Sequence, residues 1–216
     1  PNGKECYEVD ECNWSEFKQA FLKFSKNKCP ICEIQINQYA DIDHYRPESK
    51  YEFLKCCCYN YMIMCSSCNR KHKHASFPLN NAKANNIDEV GNEEPLLVNP
   101  RKENVFDYFK LVFVMREHGK LVLEIAPKDG LAGAELQKAK ETIKIYGIGN
   151  CEEDTRIDDC RIDLFEQHYE NFIELAEARK TSREKFLELL KNKPKKKDYG
   201  FVGFIAKGQF EIVTPT

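Results

Sequence analysis

Apolar and polar positions follow different rhythms in the two halves of the chain. Trp14, Phe17, Phe21, Leu22 and Phe24 recur at helical spacing behind the candidate caps Asn13 and Ser15. They predict a helix over about residues 14–26. "NKCPICEIQ" predicts a tight cysteine turn running into a short strand, and "EIQINQYADIDHY" predicts two short antiparallel strands. Pro47 limits the second strand, and Ser49 is placed to cap a short helix through Leu54. "CSSC" repeats the cysteine turn at a point where a helix can start. After Pro100, "YFKLVFVMREHGKLVLEIAPKDG" predicts a hairpin turning at His118-Gly119. "GAELQKAKETIKIYGI" is amphipathic and ends at Gly147, as helices do at a C-terminal glycine. A long helical pattern from Thr155 follows, with an apolar face through Leu164, Tyr169, Phe172, Ile173, Leu175 and Ala176. A basic loop, Lys191 to Lys197, precedes a last packed segment.

Composition narrows the class. With 42% hydrophobic and 31% charged residues, the 216-residue chain has too much apolar content for disorder. No apolar run reaches membrane-spanning length; "LVFVM" is core-strand size. "PNGKECYEVDEC" lacks the charged-then-apolar pattern of a signal peptide, so a soluble cytoplasmic protein is expected. Net charge is −2, so an anion-binding surface must come from local clustering.

Eleven cysteines call for a metal site more than for a disulfide framework. Cys29 and Cys32 in "CPIC", and Cys65 and Cys68 in "CSSC", form two C-x-x-C pairs separated by 32 residues. Each turn can aim two thiolates at one ion, and two turns complete a closed, tetrahedral, structural zinc site. Four buried free thiols are the plainer alternative. A redox dithiol would need a thioredoxin-like βαβ setting, which this sequence lacks. Cys56, Cys57 and Cys58 are expected to pack, and Cys6, Cys12, Cys151 and Cys160 have no partner at metal spacing.

Asp43 and His44 lie between the cysteine pairs, with Asn60 and Asn69 further on. The set suits metal-assisted hydrolysis of a phosphodiester. A hard cation wants oxygen ligands, and Asp43 and the Asn69 amide oxygen offer two. His44 can take the proton from an attacking water. Asp41 precedes Asp43 by two strand positions and shares its face, which suits a structural acid or a metal assistant.

"CPIC", "DIDHYRP", "YNYMIMC" and "CSSCN" together resemble a zinc-stapled HNH endonuclease of the ββα-metal type, over Cys29 to about Leu79. The resemblance implies an α+β fold, with a ββα-metal core over 29–80 after an N-terminal helix over 1–28. A linker over 81–100 and a hairpin with a mainly helical region over 101–216 complete the expected layout. It makes His44 the general base and Asp43 a ligand of catalytic magnesium or manganese. Asn60 ties the loop backbone and helps aim the base, and Asn69 is the second ligand. Two departures stand out. His72 occupies the place where the family often carries lysine, flanked by Lys71 and Lys73, and the final ligand is asparagine instead of histidine.

"DHYRPES", "YEFL", "YNYMIMCSSCNRK", "FPL" and "EEPLLVNP" are similar to the HNH subunit of Septu-type anti-phage systems, which also occurs beside some retrons. That resemblance implies an ABC or SMC-like ATPase partner and cleavage of nucleic acid during infection, with DNA expected ahead of RNA. From Tyr45 to His74, six basic residues stand against two acidic ones, which suits a phosphate backbone. Arg46, Arg70, Lys71, His72 and Lys73 are the candidate contacts. The other reading keeps zinc and the basic patch without chemistry, as a nucleic-acid-binding or adaptor module.

Overall fold

The structure is a computed structural model that describes residue 12 and residues 14–32, 34–115, 121–149 and 210–213. Helix α1 runs Trp14–Phe24. It stops short of the expected end because Lys26 and Asn27 both take left-handed backbone, at φ 56° and 58°. The chain reverses through the first cysteine turn, where Lys28 bridges to Gln35. The following residues form one regular strand, β1, Asp41–His44. Its partner is β2, Tyr61–Met64, with Asp43 opposite Met62 and His44 opposite Tyr61. Between them the chain makes 3-10 turns at Glu52–Leu54 and Cys58–Asn60. The predicted Ser49 helix therefore shrinks to a 3-10 turn that has no side-chain cap.

All four residues of β2 are buried, so both its faces are covered. A π-helix, Ser67–Lys73, follows the second cysteine pair. Its wide turn shows in the His74 N–H donating to the Asn69 carbonyl at 2.9 Å, five residues back. Two strands and a helical segment thus close around Cys29, Cys32, Cys65 and Cys68, which share one core with Leu22, Tyr45, Tyr51, Met64 and Leu97.

The segment expected as a linker is built into this core. Leu96, Leu97, Val98 and Glu93 are all buried. Glu93 accepts from Arg46 Nε at 2.6 Å, Tyr51 Oη at 2.6 Å and the Ala84 N–H at 2.8 Å. The Arg46 side chain is 12% exposed, and its guanidinium carbon lies 5.4 Å from the Phe77 ring centroid. Arg46 is therefore an interior structural cation, not the phosphate contact expected of it.

The hairpin strands are β3, Phe109–Met115, and β4, Leu121–Pro127, paired antiparallel; its turn lies outside the described residues. The last segment returns as β5, Phe210–Val213, parallel to β3. Helix α2, Gly133–Tyr146, packs across β4 and meets the π-helix. The long helical pattern from Thr155, His168 and the Lys191 to Lys197 loop lie outside the described residues.

Cys12 and Cys56 form a disulfide across 44 residues. The expectation that Cys56 is a packing residue is thereby corrected, while Cys12, without a partner at metal spacing, has one in a disulfide. Folding brings the start of α1 against the loop after Leu54, a long-range contact that spacing does not encode.

Gly147 closes α2 at φ 60°, and the Ile148 N–H donates back to the Ile143 carbonyl at 3.1 Å. A Cβ on Gly147 would lie 2.6 Å from Cε1 of His72. The glycine is required twice, by its backbone angle and by the ring against it. Gly147→Ala should cost about 1–3 kcal/mol, read as a lower urea midpoint at unchanged m-value.

Candidate functional site

The four cysteine sulfurs all lie within 4.8 Å of one another and are buried. Cys32 Sγ and Cys65 Sγ are 3.7 Å apart, close to the ~3.8 Å that a tetrahedron with ~2.3 Å zinc–sulfur bonds demands. The Cys68 N–H donates to Cys65 Sγ at 3.3 Å, support that a thiolate in a cysteine turn can use. Sulfur contacts within the cluster hold the Cys65 thiol far below its ordinary range and push Cys68 up. Four buried sulfurs this close together suit a single dication shared among them. The cluster could hold a zinc ion.

β1 carries the second cluster at its end. Asp41 and Asp43 share a strand face and meet the π-helix. Arg70 grips Asp41 in bidentate fashion, at 2.9 and 2.6 Å, and Asn69 Nδ2 donates to the same carboxylate at 3.2 Å. Asp41 is thus the structural acid of the pair. Arg70 itself stays 71% exposed.

Asp43 faces Lys73, whose ammonium lies 2.7 Å from Oδ2. Lys73 is fully buried and also donates to the His44 carbonyl at 2.7 Å. The approach to Asp43 is an ion pair without hydrogen-bond alignment, so buried Oδ2 accepts no hydrogen bond. Burial pushes the Asp43 carboxyl up, against the pull of Lys73, and burial pulls the Lys73 ammonium down. Neither group is well solvated, and each keeps its charge through the other. Lys73 is an interior cation, where a surface phosphate contact was expected.

Lys73 stands four places after Asn69 on the π-helix, close to one turn, so both side chains lie on the face turned to β1. His72 is half-buried, with its ring against Gly147. Lys71 is exposed.

His44 is 5% exposed, on the opposite strand face from Asp43, with its ring 5.2 Å from that of Tyr61 in an edge arrangement. Its Nε2 lies 2.8 Å from the Lys55 carbonyl, which can only accept. Neutral His44 therefore carries its proton on Nε2 and has Nδ1 as the basic nitrogen. Asn60 is buried and clamps the next loop. Its Oδ1 accepts from the Arg46 N–H at 2.8 Å and its Nδ2 donates to the Arg46 carbonyl at 2.9 Å. Its own carbonyl accepts from the Tyr45 N–H at 2.7 Å.

Sequence reasoning missed the pairing of Lys73 with Asp43 and of Glu93 with Arg46. The one available signal was the density of charge beside an apolar strand. Lys73→Met alone should cost about 3–5 kcal/mol at neutral pH, because Asp43 is left buried without a cation. Its carboxyl then rises further, so the folded state keeps a proton that the unfolded chain has released. The deficit is small at acid pH and grows as pH rises through that window. Adding Asp43→Leu should recover most of the loss, which urea unfolding at two pH values would check.

No family model matches the chain, and no solved structure matches it. The chain is distantly homologous, at 28% identity over 148 residues, to Septu protein PtuB of Bacillus mycoides (strain KBAB4). The match covers 61% of this chain and 46% of that protein, so the chain spans about half the length of the relative it matches. Among the described residues, no helix is long and apolar enough to cross a membrane.

Proposed function

We propose that the chain is a metal-dependent HNH endonuclease with its ββα-metal core over residues 29–80. We propose further that it acts in the cytoplasm as the effector of a Septu-type anti-phage complex with an ATPase partner. The observation that carries the chemistry is the strand-end cluster. Asp43 and His44 are neighbours at the end of β1 on opposite strand faces, Asn69 reaches the Asp41–Asp43 face from the π-helix, and Asn60 clamps the loop after His44, beside a four-cysteine cluster. The homology to PtuB supports the defence role.

The donor set fits a hard cation. Asp43 offers a carboxylate, of which Oδ2 already faces the Lys73 ammonium at 2.7 Å, and the Asn69 amide spends its nitrogen on Asp41, which leaves its oxygen to act as a ligand. Magnesium or manganese held by Asp43 and Asn69 would neutralise charge on the scissile phosphate and on the leaving oxygen. His44 Nδ1 takes the proton from the attacking water, while the Lys55 carbonyl holds the ring in that tautomer. Asn60 fixes the Arg46 backbone and so the path of the chain just after the base. Lys73 anchors both Asp43 and the His44 carbonyl, which keeps ligand and base in fixed relation.

The test is cleavage of a panel of duplex and single-stranded DNA and RNA by the chain with its co-purified partner. Cutting should require magnesium or manganese and should disappear in Asp43→Asn. One observation favours the non-catalytic adaptor reading: Lys73 already neutralises Asp43 at 2.7 Å. That reading expects nucleic-acid binding with no cleavage under any divalent metal.

A further inference from the structure

A cleft of about 530 Å³ opens between α1 and the loop that leads into β1. That volume lies in the range of small-ligand pockets. Its walls are unusual: Gln19, Asn27, Gln35, Asn37 and Gln38 supply five carboxamides, over a floor of Leu22 and Ile36. Among the described residues, no charged side chain lines it. Each carboxamide offers a donor and an acceptor side by side, the pattern that matches the edge of a nucleobase. Asn37 Oδ1 accepts from the Tyr39 N–H at 2.9 Å, which fixes the turn carrying Tyr39 beside Gln38. Tyr39 stands outside the lining, next to Gln38 in the chain, and is 79% exposed, a large aromatic side chain offered to solvent at the rim. The stretch from Gln19 to Gln38 also carries Lys23, Lys26 and Lys28 against one acid, Glu33. Gln38 stands five residues before Asp43, so the two lie at most about 18 Å apart along the chain.

We propose that this cleft is a nucleobase site, taking an adenine from a single-stranded stretch of nucleic acid with Tyr39 as its stacking platform. The proposal rests on the nucleic-acid reading above and deepens it. Asn and Gln make their typical two-point contact with adenine, accepting from N6 and donating to N7, which favours adenine among the bases. An aromatic face stacks any base but needs it unpaired, so the ligand is a single strand. The lysines add attraction to the phosphates without choosing among bases.

Binding would be read by fluorescence polarisation of labelled oligo-adenine, oligo-cytosine and oligo-thymine strands and of a duplex. The full chain is used with no magnesium or manganese added, so that no cleavage is needed. The wild type should bind oligo-adenine most tightly. Tyr39→Ala should weaken every single strand roughly tenfold. Gln35→Ala with Gln38→Ala should remove the adenine preference and leave the residual affinity for other strands. These side chains are exposed, so thermal melting should be unchanged. Binding indifferent to all three substitutions, or an equal preference for duplex, would overturn the proposal. The nuclease reading fails separately, if single strands bind as described and no metal supports cutting.

Discussion

Cys65→Ser should abolish the folded core and, with it, the capacity of the four cysteines to hold zinc. The four sulfurs are buried with the apolar side chains that hold α1, β1 and β2 together. Cys65 directly follows β2, so losing its sulfur detaches the metal turn from the central strand. In small zinc domains the metal contributes about 10–16 kcal/mol to folding, while whole domains are stable by only about 5–15 kcal/mol. Nothing of comparable size remains to compensate. Elemental analysis of the wild type should find about one zinc per chain. The serine variant should contain almost none and show no cooperative thermal transition. A folded wild type devoid of zinc, or a folded and zinc-replete variant, would remove the metal from this account.

His44→Ala should lower the rate of phosphodiester cleavage about 10²–10⁴-fold, the usual contribution of a positioned general base. The loss should fall on kcat, with KM little changed, because the ring handles a proton and does not hold the phosphate. Single-turnover cleavage at saturating magnesium reads this directly. Truncation also deletes the ring contact with Tyr61 and the bond to Lys55, so the thermal transition must be measured alongside. A folded variant that cuts within twofold of the wild type would exclude His44 as the base.

The legible parts of the molecule are those encoded locally. Two C-x-x-C turns announce their cluster by spacing, and α2 announces its end by Gly147. Asp43-His44 is readable as a strand end because Pro47 follows it. The parts that stayed hidden depend on distant chain. Glu93 meets Arg46 across 47 residues, and Cys12 meets Cys56 across 44. The segment around Glu93 looks like a polar linker because Asn and Glu dominate it, yet one buried carboxylate there gathers three donors. No periodicity announces a π-helix, so spacing alone does not show that Lys73 meets Asp43.

The same winding makes the segment sensitive to its length. Inserting or removing one residue between Asn69 and Lys73 would swing the ammonium by roughly a quarter turn away from Asp43 while every residue type was kept. A deletion at that point should therefore destabilise the chain more than an exchange of the exposed Lys71.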